Sequence, residues 1–190
     1  NVSRTKYNLL KSLRQNFFMC SENNRHKNGT EWRNFYGRFK GKSLSATQTK
    51  ALLTEFEKYS LKNISWEENP LRKKIKLSEI FDEKPVWLEI GFGGGEHLIH
   101  QARLNPDIGF IGCEPYQNGV AKLMGKLNAN PCQNIKLYDG DVRNIFDVLA
   151  NNSISKVFLL YPDPWPKKRH HRRRFVTQEF LVPLYETMKP

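Results

Sequence analysis

From Val86 onward, short runs rich in β-branched and aromatic residues alternate with segments whose apolar residues recur every three or four positions. The runs Val86–Ile90, Phe110–Cys113, Ile135–Tyr138 and Val157–Tyr161 predict strands, since extended chain tolerates branched side chains and four or five residues suit a buried strand. Between them, Val120, Leu123, Met124 and Leu127 stand at i, i+3, i+4, i+7, as do Val142, Ile145, Phe146 and Leu149, the spacing of an apolar helix face. Strand and helix in alternation predict βαβ units and a mostly parallel sheet with helices on both faces.

The chain before Val86 is more polar. A helix is predicted over Ser45–Tyr59, capped by Ser45, with Leu52, Leu53 and Phe56 on one face. A polar linker follows to about Pro85. Residues 1–42 read as a basic, partly disordered arm, because NNRHKNG carries turn residues without periodicity and NFYGRFKGK mixes glycines, aromatics and cations. At the far end, Thr177–Met188 brings Phe180 and Leu184 to one face, and Pro183 predicts a kink. The expected division is an arm over 1–42, a helix and linker over 43–85, and an α/β domain over 86–190. Four strands leave a sheet open, so the end of that domain is expected to lie beyond this chain.

With 38% hydrophobic and 12% aromatic residues in 190, there is enough apolar material for a buried core. No stretch reaches the roughly 20 apolar residues of a membrane helix, and NVSRTKYNLLK lacks the apolar centre of a signal peptide, which predicts a soluble cytoplasmic protein. Cys20, Cys113 and Cys132 are odd in number and form no C-x-x-C pair, which predicts neither a disulfide framework nor a thiolate metal site. The formal charge of +12 predicts a polyanionic partner, with nucleic acid foremost. Six cations, Lys167, Lys168, Arg169, Arg172, Arg173 and Arg174, crowd into one stretch.

Two segments carry candidate chemistry. In LEIGFGGGEHLI a strand ends at Ile90, and Gly91, Gly93 and Gly95 let the backbone turn tightly before a helix. A dinucleotide fingerprint G-x-G-x-x-G would need a third glycine where Glu96 stands, which disfavours a pyrophosphate ligand. S-adenosylmethionine has an amino-acid tail and a sulfonium but no phosphate, so an acid at the strand end, Glu89, suits it. Glu114 ends the next strand at about the 20-residue spacing of a ribose-binding acid. Asp141, in YDGD after the third strand, is placed to take the adenine amino group, although spacing alone barely separates it from Asp139. Glu96 and His97 read as residues of a helix start and receive no chemistry.

The second segment is YPDPWPKKRHHRRR, residues 161–174. Prolines at 162, 164 and 166 stiffen the backbone at the carboxyl edge of the fourth strand, where open α/β sheets bind ligands, and so fix Asp163 in place. Trp165 offers a face for stacking a base or, as readily, for packing under the loop. The cations that follow can neutralise RNA phosphates. His170 and His171 read as part of this polar surface, since no cysteine or carboxylate stands at metal-ligand spacing.

Taken together, EIGFGGGE, GCEP and PDPWPKKRHHRRR resemble the bacterial tRNA (guanine-N7-)-methyltransferase family, and FYGRFKGKSLSATQ resembles its N-terminal basic element. The resemblance implies a Rossmann-like class I methyltransferase that uses S-adenosyl-L-methionine to methylate N7 of the guanosine at tRNA position 46, in the variable loop. It implies a methyl-donor site at Glu89, Gly91, Gly93, Glu114, Asp141 and Asp163, with Asp163 also catalytic. For tRNA it implies Lys167, and the neighbouring Arg169, Arg172, Arg173 and Arg174 are expected to join it; no metal is implied. The family's second RNA-contacting set, an Asp and a T-x-x-E-like element, follows the next strand and is not reached by this chain. Three alternatives stay open at this point: methylation of an exocyclic amine, a non-catalytic RNA-binding module, and a dinucleotide reductase.

Overall fold

A computed structural model describes residues 35–190, so Cys20 and most of the predicted arm lie outside the described residues. The polypeptide from Phe35 to Pro190 forms one compact unit. Four strands, β1 (Val86–Ile90), β2 (Gly109–Cys113), β3 (Ile135–Tyr138) and β4 (Lys156–Leu159), form an all-parallel sheet in the order β3-β2-β1-β4. Leu88 lies beside Ile111 on one side and Val157 on the other, and Gly112 lies beside Leu137. The chain crosses from β1 to β2 to β3 in one direction and then returns to the other side of β1, the doubly wound Rossmann-like arrangement.

Alternation along the strands divides the core into two layers. Val86, Leu88, Ile90, Ile111 and Cys113 face one side, where α6 (Val142–Phe146), α7 (Gln178–Thr187) and α3 (Leu77–Ile80) cover them. Phe110, Ile135 and Leu137 face the other, beneath α4 (Glu96–Leu104), α5 (Gln117–Ala129) and α1 (Ala46–Thr54). Both faces are thus apolar, as a fully covered parallel sheet requires, and each completely buried Leu or Ile stabilises the fold by about 1.5–3 kcal/mol. Cys113 and Cys132 are buried free thiols.

Three local expectations need correction. The helix predicted over Ser45–Tyr59 breaks at Glu55 into α1 and α2 (Phe56–Tyr59). The break turns Phe56 and Tyr59 onto the layer that Ala51 and Leu52 already reach, and leaves Leu53 exposed. Ser45 does cap α1, with the reciprocal Ser45–Gln48 pair of a capping box. The fourth strand stops at Leu159 rather than Tyr161, which is fully exposed with φ 52°. The helix from Val142 ends at Phe146, and Leu149 instead bridges Ile75. Pro183 lies inside α7, which continues from Gln178 to Thr187; the hydrogen bond it removes would have gone to the Glu179 carbonyl in the first turn.

The stretch between α2 and β1 carries much of the first layer. Leu61, Ile64, Leu77 and Phe81 are buried there, and Ser60 bridges Leu137 at the β3 edge. Beyond α7, Met188 bridges Ile154 in parallel and the Lys189 N–H donates to the Ile154 carbonyl at 2.7 Å, so the chain rejoins the sheet beside β4.

Candidate functional site

The loops after β1 and β4 flank the point where strand order reverses, the crevice in which open parallel sheets hold ligands. After β1 the backbone turns through Gly91, Gly93 and Gly95 at φ 74°, 55° and 75°. An L-residue pays about 1–2 kcal/mol in that region, which is why glycine stands there. A β-carbon added at Gly91 or Gly93 would meet open space, so this backbone borders an accessible volume. Behind it α5 packs so closely that a β-carbon at Gly119 would lie 2.4 Å from the Gly93 carbonyl.

Glu114 is held against the turn. Its two carboxylate oxygens accept the N–H groups of Gly93 at 2.7 Å and Tyr116 at 2.8 Å. Burial raises its pKa above the usual carboxylate range, the two N–H donors pull it back, and the charge of Asp163 raises it again. That last influence brings the carboxylate after β4 electrically to the carboxylate after β2. Asp163 itself is exposed.

Glu89, at the end of β1, is 3% exposed and meets His97 of α4, whose Nδ1 lies 2.7 Å from its Oε2. An ionised Glu89 can only accept, so the histidine carries its proton on Nδ1 in this pair. Burial lifts the pKa of Glu89, opposed by His97. The His97 ring in turn meets Phe158 of β4 edge-on, 4.8 Å between centroids. Asp141 caps α6 by accepting the Arg143 N–H at 2.9 Å, and both its oxygens meet the Arg143 guanidinium. Arg143, buried under burial's downward pull but held above its usual pKa by Asp141 and Glu179, also pairs with Glu179 of α7. Asp139, two residues earlier, is exposed just past the end of β3.

In the loop after β4, Tyr161 and Trp165 take positive φ, 52° and 40°, a strain that persists only where surroundings over-determine the backbone. Arg174 supplies part of that determination: its Nε donates to the Pro164 carbonyl at 2.9 Å and a terminal nitrogen to the Trp165 carbonyl at 3.2 Å. Trp165 packs edge-on against His170, and the Arg173 guanidinium lies 5.0 Å from the Trp165 ring and 4.9 Å from that of Tyr36. Of the predicted RNA contacts, Arg169 and Arg172 are exposed on a short 3-10 turn and Lys167 just before it, whereas Arg173 and Arg174 also contact the loop itself.

The strand ends therefore gather Glu89, Glu114, Asp139, Asp141 and Asp163, with the cations one loop further out. A pyrophosphate would be repelled here, while a ligand with hydroxyls and a positive centre is matched. Sequence reasoning missed His97, Gly119 and Arg143. A glycine inside a helix costs about 1 kcal/mol against alanine, so Gly119 was a signal of close packing; the pairing partners of the other two depend on folding.

Comparison with known proteins identifies the family. A family model described as "Putative methyltransferase" matches residues 83–190, more than half of the chain. The tRNA (guanine-N(7)-)-methyltransferase of Ruegeria sp. (strain TM1040) is 55% identical over 166 residues, covering 87% of this chain and 65% of that protein. That of Roseobacter denitrificans is 58% identical over 158 residues, covering 83% and 68%. The chain belongs to the tRNA (guanine-N7-)-methyltransferase family. It spans about two thirds of the length of these relatives. Among solved structures, a SAM dependent methyltransferase from Aquifex aeolicus overlays with a TM-score of 0.43 at 14% identity, covering 78% of this chain and 69% of that one.

Proposed function

We propose that this chain transfers a methyl group from S-adenosyl-L-methionine to N7 of the guanosine at position 46 in the variable loop of tRNA. The observation that carries the reading is the meeting, at one switch point, of a glycine turn backed by Glu114 with a proline-stiffened Asp163 that leads into a cationic turn. Bound there, S-adenosylmethionine would supply an electrophilic methyl on a sulfonium. Glu114 would hold the ribose hydroxyls, its backbone bonds leaving lone pairs for them. Glu89 would offer negative charge near the amino-acid tail, the open backbone of Gly91 and Gly93 would admit close approach, and Asp141, through its loop, would border the adenine. The reaction and its tRNA substrate place the protein in the cytoplasm.

Guanine N7 carries a lone pair at neutral pH and loses no proton on methylation. The chain therefore needs no general base, and Asp163 acts by position and charge: it orients the guanine edge and stabilises positive charge as it develops on the purine. Lys167, Arg169 and Arg172 hold the RNA backbone. The exocyclic-amine alternative would use loop carbonyls to hold an amino group, and those of Pro164 and Trp165 already accept from Arg174.

The test is methyl transfer from labelled S-adenosylmethionine to unmodified tRNA with analysis of the nucleosides. The expected product is 7-methylguanosine, lost in Asp163→Ala. A methylated exocyclic amine as product would move the reading to the alternative, and tRNA binding without any methyl transfer would leave an RNA-binding module.

A further inference from the structure

A second basic surface stands away from the crevice, along the outer edge of β3. There a cavity of about 670 Å³ opens between that strand and the segment 60–80. Its rim carries Lys62, Lys73, Lys74, Lys76 and Lys136, against the two carboxylates Glu68 and Glu79. Two of the lysines are paired with acids, Lys76 with Glu79 at 2.9 Å and Lys62 with Glu57 at 2.5 Å. Lys73, Lys74 and Lys136 remain against Glu68, which accepts the Asn63 N–H at 2.9 Å. Lys74 and Lys136 are anchored by neutral groups instead, donating to the carbonyls of Asp147 at 3.3 Å and Lys58 at 3.2 Å. An ammonium has three donors, so a bond to one carbonyl leaves each lysine two further N–H groups to offer an anion.

The segment that carries these lysines has a fixed shape. Asn69, 6% exposed, ties it by donating to the carbonyls of Asn63 and Lys73 and accepting the Lys73 N–H at 2.9 Å. Arg72 bolts it to the domain through the carbonyls of Ile64 and Asn144, both at 2.6 Å. Asn63 and Arg72 both take positive φ, 61° and 49°, a strained backbone held by those bonds. Polar composition would otherwise leave such a segment solvated and mobile.

We infer that this lysine groove is a second binding site for RNA phosphates, engaging the body of the tRNA while the cationic turn after β4 engages the loop to be methylated. The partner follows from a group of ammonium side chains on the edge opposite to that turn: β3 and β4 are the outer strands, three spacings or about 14 Å apart. Lys136 lies three residues before Asp139, about 10 Å back along β3 from the carboxyl edge of the sheet. A single polyanion reaching the crevice can therefore touch both edges. The inference rests on the tRNA reading above, and its test is a binding measurement that does not depend on methyl transfer.

The triple variant Lys73→Gln, Lys74→Gln, Lys136→Gln is to be compared with the parent protein for binding of unmodified tRNA across a salt series. The expected result is affinity about tenfold weaker at low salt and a slope of log affinity against log salt shallower by about two, since each lost phosphate contact removes about 0.7–0.9. S-adenosylmethionine affinity and the melting temperature should stay at parental values, and the corresponding arginine substitutions should restore tRNA binding. Equal affinity and equal slope in variant and parent would overturn the groove as an RNA site. Equal loss with arginine at the three positions would do so too, because it would show a packing role. Failure of the function reading looks different: the parent would bind tRNA with the groove-dependent slope yet yield no 7-methylguanosine.

Discussion

The glycine turn after β1 and the proline loop after β4 face one crevice and are shaped by opposite means. In the first, conformational freedom comes from glycine, and the neighbouring acids are withdrawn: Glu89 is 3% and Glu114 7% exposed, each with a fixed donor. In the second, freedom is removed by three prolines, Tyr161 and Trp165 take positive φ, and Arg174 and Arg173 hold Trp165 there. Its acid, Asp163, is exposed. A turn built on backbone N–H groups and buried carboxylates suits a small ligand that must be enclosed. A loop stiffened from within, with its acid and its cations outward, suits a macromolecule that arrives from solvent. Substitutions at the two should therefore separate into effects on the small ligand and effects on RNA.

The largest effect is expected at Asp163, the residue that both sides share. Asp163→Ala should lower kcat by at least about 100-fold, the scale of losing one preorganised group that stabilises developing charge. Binding of tRNA should change by no more than about twofold, because the cations remain. Single-turnover methyl transfer beside a tRNA binding assay would check this. A parallel loss in both would assign Asp163 to RNA binding and blur the comparison.

Next comes Glu114. Its replacement by Ala leaves the partly buried Gly93 and Tyr116 N–H groups without their acceptor and removes the carboxylate from the glycine turn. Titration calorimetry with S-adenosylhomocysteine should show binding about 10- to 100-fold weaker, with tRNA affinity unchanged. Glu114→Gln, which keeps one acceptor, should fall between.

Arg172 and Arg174 sharpen the distinction inside the basic run. Arg172→Ala removes an exposed cation and should raise KM for tRNA about threefold with a shallower salt dependence. Arg174→Ala frees the carbonyls of Pro164 and Trp165 and should lower kcat about tenfold with little change in the salt slope, since the loop that carries Asp163 loses its tie. Equal salt slopes for the two variants would show that Arg174 also binds phosphate.

Sequence made the sheet and both loops legible because each rests on local signals. Short runs of branched and aromatic residues set the strands and the 3.6-residue period set α5, and the spacing of Gly91, Gly93 and Gly95 announced a turn. What was not legible depends on partners distant in sequence. Arg174 looks like its neighbours in a run of cations, and only the folded loop shows that it points inward. The polar stretch 60–76 reads as a linker, yet Asn69 and Arg72 tie it to groups up to 72 residues away. Its lysines therefore became a surface of fixed shape only once the fold was in view. Glu89 was legible as an acid at a strand end, but not as one paired with His97.

That pairing leads to the smallest effect. Burial holds the Glu89 carboxyl above its ordinary value of 4.5, with His97 opposing. Between 4.5 and the higher folded value, the folded chain keeps a proton that the unfolded chain has released. By linkage the stability contribution of Glu89 is complete below this window and is lost as pH rises through it, at no more than about 1.4 kcal/mol per pH unit. Thermal melts of Glu89→Gln between pH 4 and pH 7 should therefore tilt less with pH than those of the parent. Parallel curves would mean that His97 fully offsets burial. The same imbalance bears on the ligand, since a buried carboxylate that is short of positive charge gains most from a cationic one. S-adenosylmethionine, which carries the sulfonium, should flatten the parent's pH dependence more than S-adenosylhomocysteine, whose sulfur is neutral, and in Glu89→Gln the two ligands should act alike.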